Sequence, residues 1–408
     1  MLYYYVIMNN AQTFSLSTSS FAGKADRALF WSFVLLFFLL PIATSPAVIA
    51  GVLALAIWIL SGKVVSDRGR WMHEPWTLPL AVFIMLPWIG LLWSPNVAEG
   101  MRFASKTYYF CLAFALATVR LSDQEIELLL KAFLAGLLVA AFSSLLQVVG
   151  VLPLAKSIPS LIYAKRIHGS MFLVLGLALL VTYIKDSRDM RMRMLLGLMM
   201  VFFIFILGMS GGRSGYVSLF LVSPLVLHKL TGRFHLKKIA LAVMLMIALL
   251  LSFGPVRERF GEIGQEFQEY REGNPNSSIG IRLHMWNGAV QIMSEHPLLG
   301  VGTGGYRTAM KRFETSVQVL GYQDVDNPHS NFFYMGASFG LIGVASLIWL
   351  LYAMLRKGWE AKHSRVGFAV LVYGVIAILV GITSTTIMDF ATANLMSLMI
   401  GIRSSASS

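Results

Sequence analysis

Apolar residues fall in long runs along this chain, separated by short polar stretches. A helix rises about 1.5 Å per residue and the hydrocarbon core of a bilayer is about 30 Å thick, so such runs predict membrane-crossing helices, with allowance for tilt. They fall at residues 29–44, 46–61, 77–93, 103–119, 127–150, 169–184, 194–209, 213–228, 238–254, 330–355, 366–386 and 388–402. The pattern predicts an all-α polytopic membrane protein with about twelve transmembrane helices. Thr383-Ser384-Thr385-Thr386 and Met388-Asp389 leave little room for a turn between the last two, so the count is eleven or twelve. Ser45-Pro46 predicts a tight turn joining the first two runs in a hairpin, because proline restricts the residue before it.

The pattern changes over residues 255–329. Glu258, Glu262, Glu266 and Glu269 alternate with Phe260, Ile263, Phe267 and Tyr270 at helical spacing, which predicts an amphipathic helix with its carboxylates toward solvent. Asn274-Pro275-Asn276-Ser277-Ser278 forms a turn and capping cluster. In a second helix after it, Ile281, Met285 and Ile292 share one face and Arg282, Trp286, Ala289 and Met293 another. Gly300, Gly302, Gly304 and Gly305 follow His296-Pro297. They do not stand between a strand and a helix, so they are read as a flexible elbow and not as a nucleotide loop. The organisation expected is residues 1–28 as a cytoplasmic segment, 29–254 as nine membrane helices, 255–329 as a mainly helical external loop, 330–402 as three more helices, and 403–408 as a tail.

Composition agrees. The 408 residues are 57% hydrophobic and 13% charged, with a mean hydropathy of +0.70, which excludes a soluble globular protein. The net charge of +13 belongs to loops: Lys63, Arg68 and Arg70; Lys185, Arg188, Arg191 and Arg193; Lys229, Arg233, Lys237 and Lys238; Arg356, Lys357, Lys362 and Arg365. These mark cytoplasmic loops, so no nucleic-acid partner is inferred, and the alternate loops, with residues 255–329, face outward. The first apolar run is followed at once by another, so it is expected to remain as an anchor. Cys111 is the only cysteine, and no C-x-x-C or H-E-x-x-H pattern occurs, so neither a disulfide framework nor a metal or cofactor is expected. Asp324 and Asp326 sit in a turn and are not paired as acid and base.

Several basic residues oppose the orientation rule: Arg102, Lys106, Lys165, Arg166, Arg213 and Arg282. Each alone can snorkel to the interface or hold a lipid headgroup. Arg213 follows Gly211-Gly212 at a helix start, where first-turn N–H groups and a planar guanidinium suit a phosphate. Near the C-terminus, Asn327-Pro328-His329 precedes a long apolar run, which predicts Asn327 as N-cap, Pro328 at the first helical position and His329 in the first turn. On that helix Gly336, Gly340 and Gly343 share the histidine's face. Gly336-x-x-x-Gly340 can simply be a packing surface. Alternatively, the helix N-terminus keeps the imidazole neutral beside an anion, ready to take a proton.

His329, Ser330, Gly340 and Gly343 match the motif H-[NSQ]-x9-G-x-x-G, in which the chain resembles the bacterial O-antigen ligases. Ser210-Gly211-Gly212-Arg213-Ser214-Gly215 and Arg282-x-x-x-Trp286-x-x-Ala289 leading to Pro297-Leu298-x-Gly300-x-Gly302-x-Gly304 extend the resemblance to most of the chain, and to O-antigen polymerases and O-oligosaccharyltransferases. The resemblance implies a GT-C-like glycosyltransferase of the bacterial inner membrane with its active site on the periplasmic face. It implies metal-independent, inverting transfer of a glycan from undecaprenyl pyrophosphate to a sugar of lipid A-core. His329 is then the base and Arg213 and Arg282 hold the pyrophosphate, with Arg166 and Lys106 as basic neighbours. A polymerase or a protein O-oligosaccharyltransferase differs only in acceptor. A transporter is the rival of another class, and broken helices and paired mid-membrane charges would mark one. Helices around 103–119 and 169–228 are expected either to line a groove for the lipid tail or to pack the bundle.

Overall fold

The computed structural model describes residues 23–152, 166–210, 212–232, 236–314 and 327–403. Lys165, Gly211, Asp324 and Asp326 lie outside them, as do the side chains of Arg166 and Lys238. The described residues hold helices and no strand. In chain order these are α1 (residues 23–39), α2 (Thr44–Leu60), the single turns α3 (Lys63–Ser66) and α4 (Gly69–Met72), and α5 (Thr77–Ile89) with a 3-10 turn at Gly90–Trp93. Then come α6 (Val97–Ser105), α7 (Tyr108–Thr118), α8 (Asp123–Val148), α9 (Arg166–Asp186), α10 (Met190–Met209), α11 (Arg213–Thr231) and α12 (Leu236–Leu251). The polar segment that follows supplies α13 (Gly254–Arg271), α14 (Ser278–Glu295) and α15 (Gly305–Glu314), and the chain closes with α16 (Asn331–Glu360), α17 (Arg365–Thr383) and α18 (Phe390–Gly401).

Five of these helices, α8, α9, α10, α16 and α17, are long and apolar enough to cross a membrane, and the chain is an all-helical polytopic membrane protein. Three expected elements take a different form. The run 103–119 is not one helix: α6 ends at Ser105 and α7 starts at Tyr108, with the Thr107 hydroxyl between them accepting from Trp88 Nε1 at 3.0 Å. The first hairpin turns at residues 40–43, one step before Ser45-Pro46, and Pro46 falls in the first turn of α2, where a missing N–H costs nothing. The last run shortens to α18, 12 residues that are almost entirely buried.

Small residues set the closest approaches. A side chain at Gly136 would run into the Phe38 carbonyl, so α8 lies against α1, and one at Gly401 would meet the Ala113 backbone, so α18 lies against α7. The basic loops meet at one end of the bundle. There Lys229 Nζ donates to the Lys362 and His363 carbonyls at 2.8 and 2.7 Å, Arg365 pairs with Glu127 and Asp186, and Arg403 Nε meets Glu74 at 3.0 Å. That gathering is what the orientation rule requires of loops on one side of a membrane.

The Gly300 to Gly305 stretch is not a flexible elbow. α16 is broken at Gly340, whose φ of 60° and ψ of −149° no other residue adopts without strain. A break strands backbone donors and acceptors, which in an apolar surrounding must be satisfied from elsewhere. Residues 297–304 do this. Val301 N donates to the Ala337 carbonyl at 3.0 Å, Gly302 N to that of Ser338 at 2.9 Å, and Leu341 N to that of Pro297 at 2.8 Å. The same segment closes the end of α5, where Thr303 N donates to the Gly90 carbonyl at 3.1 Å and Thr303 Oγ1 to that of Pro87 at 2.6 Å. A broken helix is one mark of a transporter; this one is bridged by the backbone of residues 297–302.

Candidate active site

His329 stands just ahead of α16 and not inside its first turn. The N-cap is Ser330, whose hydroxyl accepts from Phe333 N at 3.4 Å, and Asn327 instead accepts from His329 N at 3.0 Å in an Asx turn. His329 itself is left-handed, with φ of 49°, and it is the only non-glycine residue with positive φ among those described. That conformation costs an L-residue about 1 kcal/mol and marks a position held by its surroundings. The Asn331 side chain does much of the holding. Its Oδ1 accepts from Thr386 N at 2.7 Å and Ile387 N at 3.2 Å, and its Nδ2 donates to Thr386 Oγ1 at 3.0 Å. Ser330 Oγ also donates to the Gly381 carbonyl at 3.4 Å. The start of α16 is thereby pinned to the link between α17 and α18, a role for Asn331 that the sequence reading missed.

The small-residue face expected below His329 divides in two. Gly336 is a packing glycine, since a side chain there would strike Met293 of α14. Gly340 is a conformational one, lying against the Leu298 and Pro297 backbone.

α14, the helix that bears Arg282, reaches the residue before the histidine. Trp286, one turn beyond Arg282 on the same face, donates from Nε1 to the Pro328 carbonyl at 2.9 Å and packs on the Phe333 ring at 5.4 Å between centroids. Arg282 Nη1 donates to the Ser278 carbonyl and hydroxyl at 2.9 and 2.8 Å. At the start of the same helix, Glu266 Oε2 accepts from Ile279 N at 2.9 Å.

Glu266 is also where Arg213 is found. Arg213 Nη2 lies 2.9 Å from Glu266 Oε1 and 3.1 Å from Glu262 Oε2. Glu266 is buried, so the expectation that these carboxylates face solvent fails for it, because an arginine from the membrane bundle reaches the helix there. Arg213 Nε is buried with no acceptor among the described residues. Ser214 Oγ meets Thr383 Oγ1 at 3.5 Å, close in sequence to the Gly381 that Ser330 contacts. Arg213, Arg282 and His329 are thus joined through α14 and the end of α17.

Lys106 Nζ lies over the Phe103 ring at 5.2 Å, and Phe103 touches Tyr334 in the first turn of α16. Arg166 opens α9, its side chain undescribed. Two residues on, buried His168 Nε2 meets Asp389 Oδ2 at 2.7 Å, just before α18. That pair joins two segments 221 residues apart in sequence (389 − 168), so no local pattern could have revealed it.

Two apolar recesses lie in the bundle. One of about 150 Å³ sits among α9, α10, α11 and α12, lined by Leu177, Ile204, Leu219 and Met246, and residues 103–119 contribute nothing to it. The other, about 470 Å³, lies between α5 and the broken α16 beside Leu299. Chemically, the site joins an imidazole of fixed backbone to guanidinium groups that form charge-assisted bonds with oxyanions, and no cluster of His, Cys, Asp and Glu suited to a metal ion occurs among the described residues.

Residues 198–348 match the family model described as O-antigen ligase, a span that includes Arg213, Arg282, His329, Gly340 and Gly343 but neither Lys106 nor Arg166. A Haemophilus influenzae protein described only as uncharacterized is 26% identical over 152 residues, covering 35% of this chain and 38% of that protein. The chain thus spans less than half the length of that relative.

Proposed function

We propose, on the match of residues 198–348 to the O-antigen ligase family model, that the protein transfers a glycan from undecaprenyl pyrophosphate to a sugar hydroxyl of lipid A-core on the external face of the bacterial inner membrane. The observation that supports this reading is the chain of contacts from Arg213 to Glu266, from Glu266 to the start of the helix that bears Arg282, and from Trp286 of that helix to the residue before His329. In the step, the acceptor oxygen bonds to the anomeric carbon as that carbon's bond to the pyrophosphate oxygen breaks, with inversion. The hydroxyl proton passes to the imidazole, and Arg282 and Arg213 stabilise the charge that grows on the leaving pyrophosphate. Arg213 Nε, buried and without an acceptor among the described residues, is the donor such a group would engage. Arg166 and Lys106 enter only as neighbouring positive charge.

Purified protein in liposomes, given lipid-linked donor and excess EDTA, is expected to consume it only when core-bearing acceptor is added. Consumption with donor alone, yielding longer lipid-linked chains, would make the protein a polymerase, and consumption with an acceptor protein an O-oligosaccharyltransferase. Loss of activity on chelation, restored by magnesium, would sink the metal-independent step.

A further inference from the structure

On the face of α14 turned away from Trp286 and Pro328 lies a second cleft, about 480 Å³, that the transfer step does not use. Its floor is His284, Asn287 and Gln291, which fall on one side of the helix, roughly opposite Arg282 and Trp286 at about 100° per residue. One wall is the end of α13 with Tyr270, Arg271 and Pro275, and the other is Phe313 of α15.

Two glycines bring those walls in. A side chain at Gly280 would strike the Pro275 backbone, and one at Gly288 would strike Met310, so both walls lie directly on α14. Gly273, with φ of 88°, makes the turn that folds the first wall back. The polar groups are carboxamides. Asn287 Oδ1 accepts from Gln291 Nε2 at 3.3 Å, which leaves the Asn287 NH2 and the Gln291 carbonyl for a ligand. The aromatic faces belong to Tyr270 and Phe313, and the Arg271 guanidinium, over the Phe267 ring at 4.8 Å, adds a charged rim.

Amide donors and acceptors between two aromatic rings suit a molecule with hydroxyl edges and flat C–H faces. We propose that this cleft is a saccharide subsite. It holds sugar units of the glycan that lie beyond the reacting one, about one helix diameter (~10 Å) from the Trp286–Pro328 contact. The subsite rests on the reading of the protein as a transferase of lipid-linked glycans. It gives that reaction a grip on the chain separate from the pyrophosphate.

The sugars can belong to the donor or to the acceptor, and the test has an arm for each. Full-length protein in nanodiscs is titrated with polysaccharide released by mild acid from the lipid-linked donor, and separately with core oligosaccharide that bears no such polysaccharide. Neither probe carries lipid or pyrophosphate. The N287A/Q291A double variant and F313A are compared with wild type, the first pair being exposed positions whose loss leaves the fold intact. Binding of one probe by wild type, weakened about tenfold or more in both variants, is the expected result, and the probe that responds names the source. Equal binding by wild type and variants, or binding of neither probe by wild type, overturns the subsite. Wild type that consumes no lipid-linked donor but binds a saccharide through this cleft would overturn the transferase reading and leave the subsite standing.

Discussion

At His329 the backbone decides how the side chain is best tested. Asparagine is the residue after glycine most at ease in the left-handed region, so His329→Asn keeps the turn before α16 while removing the imidazole. Turnover is expected to fall by roughly a hundredfold or more, with donor binding retained. Near-normal transfer between about pH 6 and 8, where an ordinary imidazole titrates, would make the residue structural. Arg213 calls for a different substitution, because removing it strands the carboxylate of buried Glu266. Breaking such a pair costs about 3 kcal/mol, so Arg213→Ala confuses binding with folding. Glu262 is the more exposed partner, 43% against 11% for Glu266, and is the one that a pyrophosphate bound at Arg213 would displace. Glu262→Gln is therefore expected to leave the fold intact and lower the KM for donor several-fold. An unchanged or higher KM would remove Arg213 from the donor site.

At the scale of elements, the break in α16 is the feature on which the site's architecture turns. Gly340→Ala places a methyl within 2.3 Å of the Leu298 carbonyl carbon and asks alanine to hold a glycine-only conformation. A destabilisation of about 3 kcal/mol or more is expected, read as a lower melting temperature in detergent. Gly336→Ala meets the flexible end of Met293 and, less closely, a Val344 methyl, with no backbone in the way, and should cost less. Equal effects at the two positions would mean that both glycines serve close packing. Nothing in the sequence says which of Gly336 and Gly340 bends the chain and which packs it. Only the loop returning from residue 297 makes that distinction.

For the whole molecule, the division between a basic end and a site end can be measured by labelling. With Cys111 replaced by alanine, a cysteine introduced at Lys311 should react with a membrane-impermeant maleimide in intact spheroplasts, and one at Lys362 only after lysis. The reverse order would turn the molecule over and put the histidine on the wrong side for an external acceptor.

What the sequence determined by itself was whatever depends on one stretch of chain. Apolar length specifies a membrane helix, the alternation of glutamates with apolar residues specifies α13, the shared faces of Ile281, Met285 and Ile292 specify α14, and the cluster of turn residues at 274–278 marks its start. The candidate residues Arg213, Arg282 and His329 were legible for the same reason, since each lies in a short local pattern. The tertiary structure alone decided the pairings between distant stretches. Arg213 on Glu266, Asn331 on Thr386, His168 on Asp389 and residues 297–302 in the break of α16 each satisfy a buried polar group whose partner is far along the chain. In an apolar interior such groups must find partners wherever the fold supplies them, and nothing in either local stretch records which partner that is.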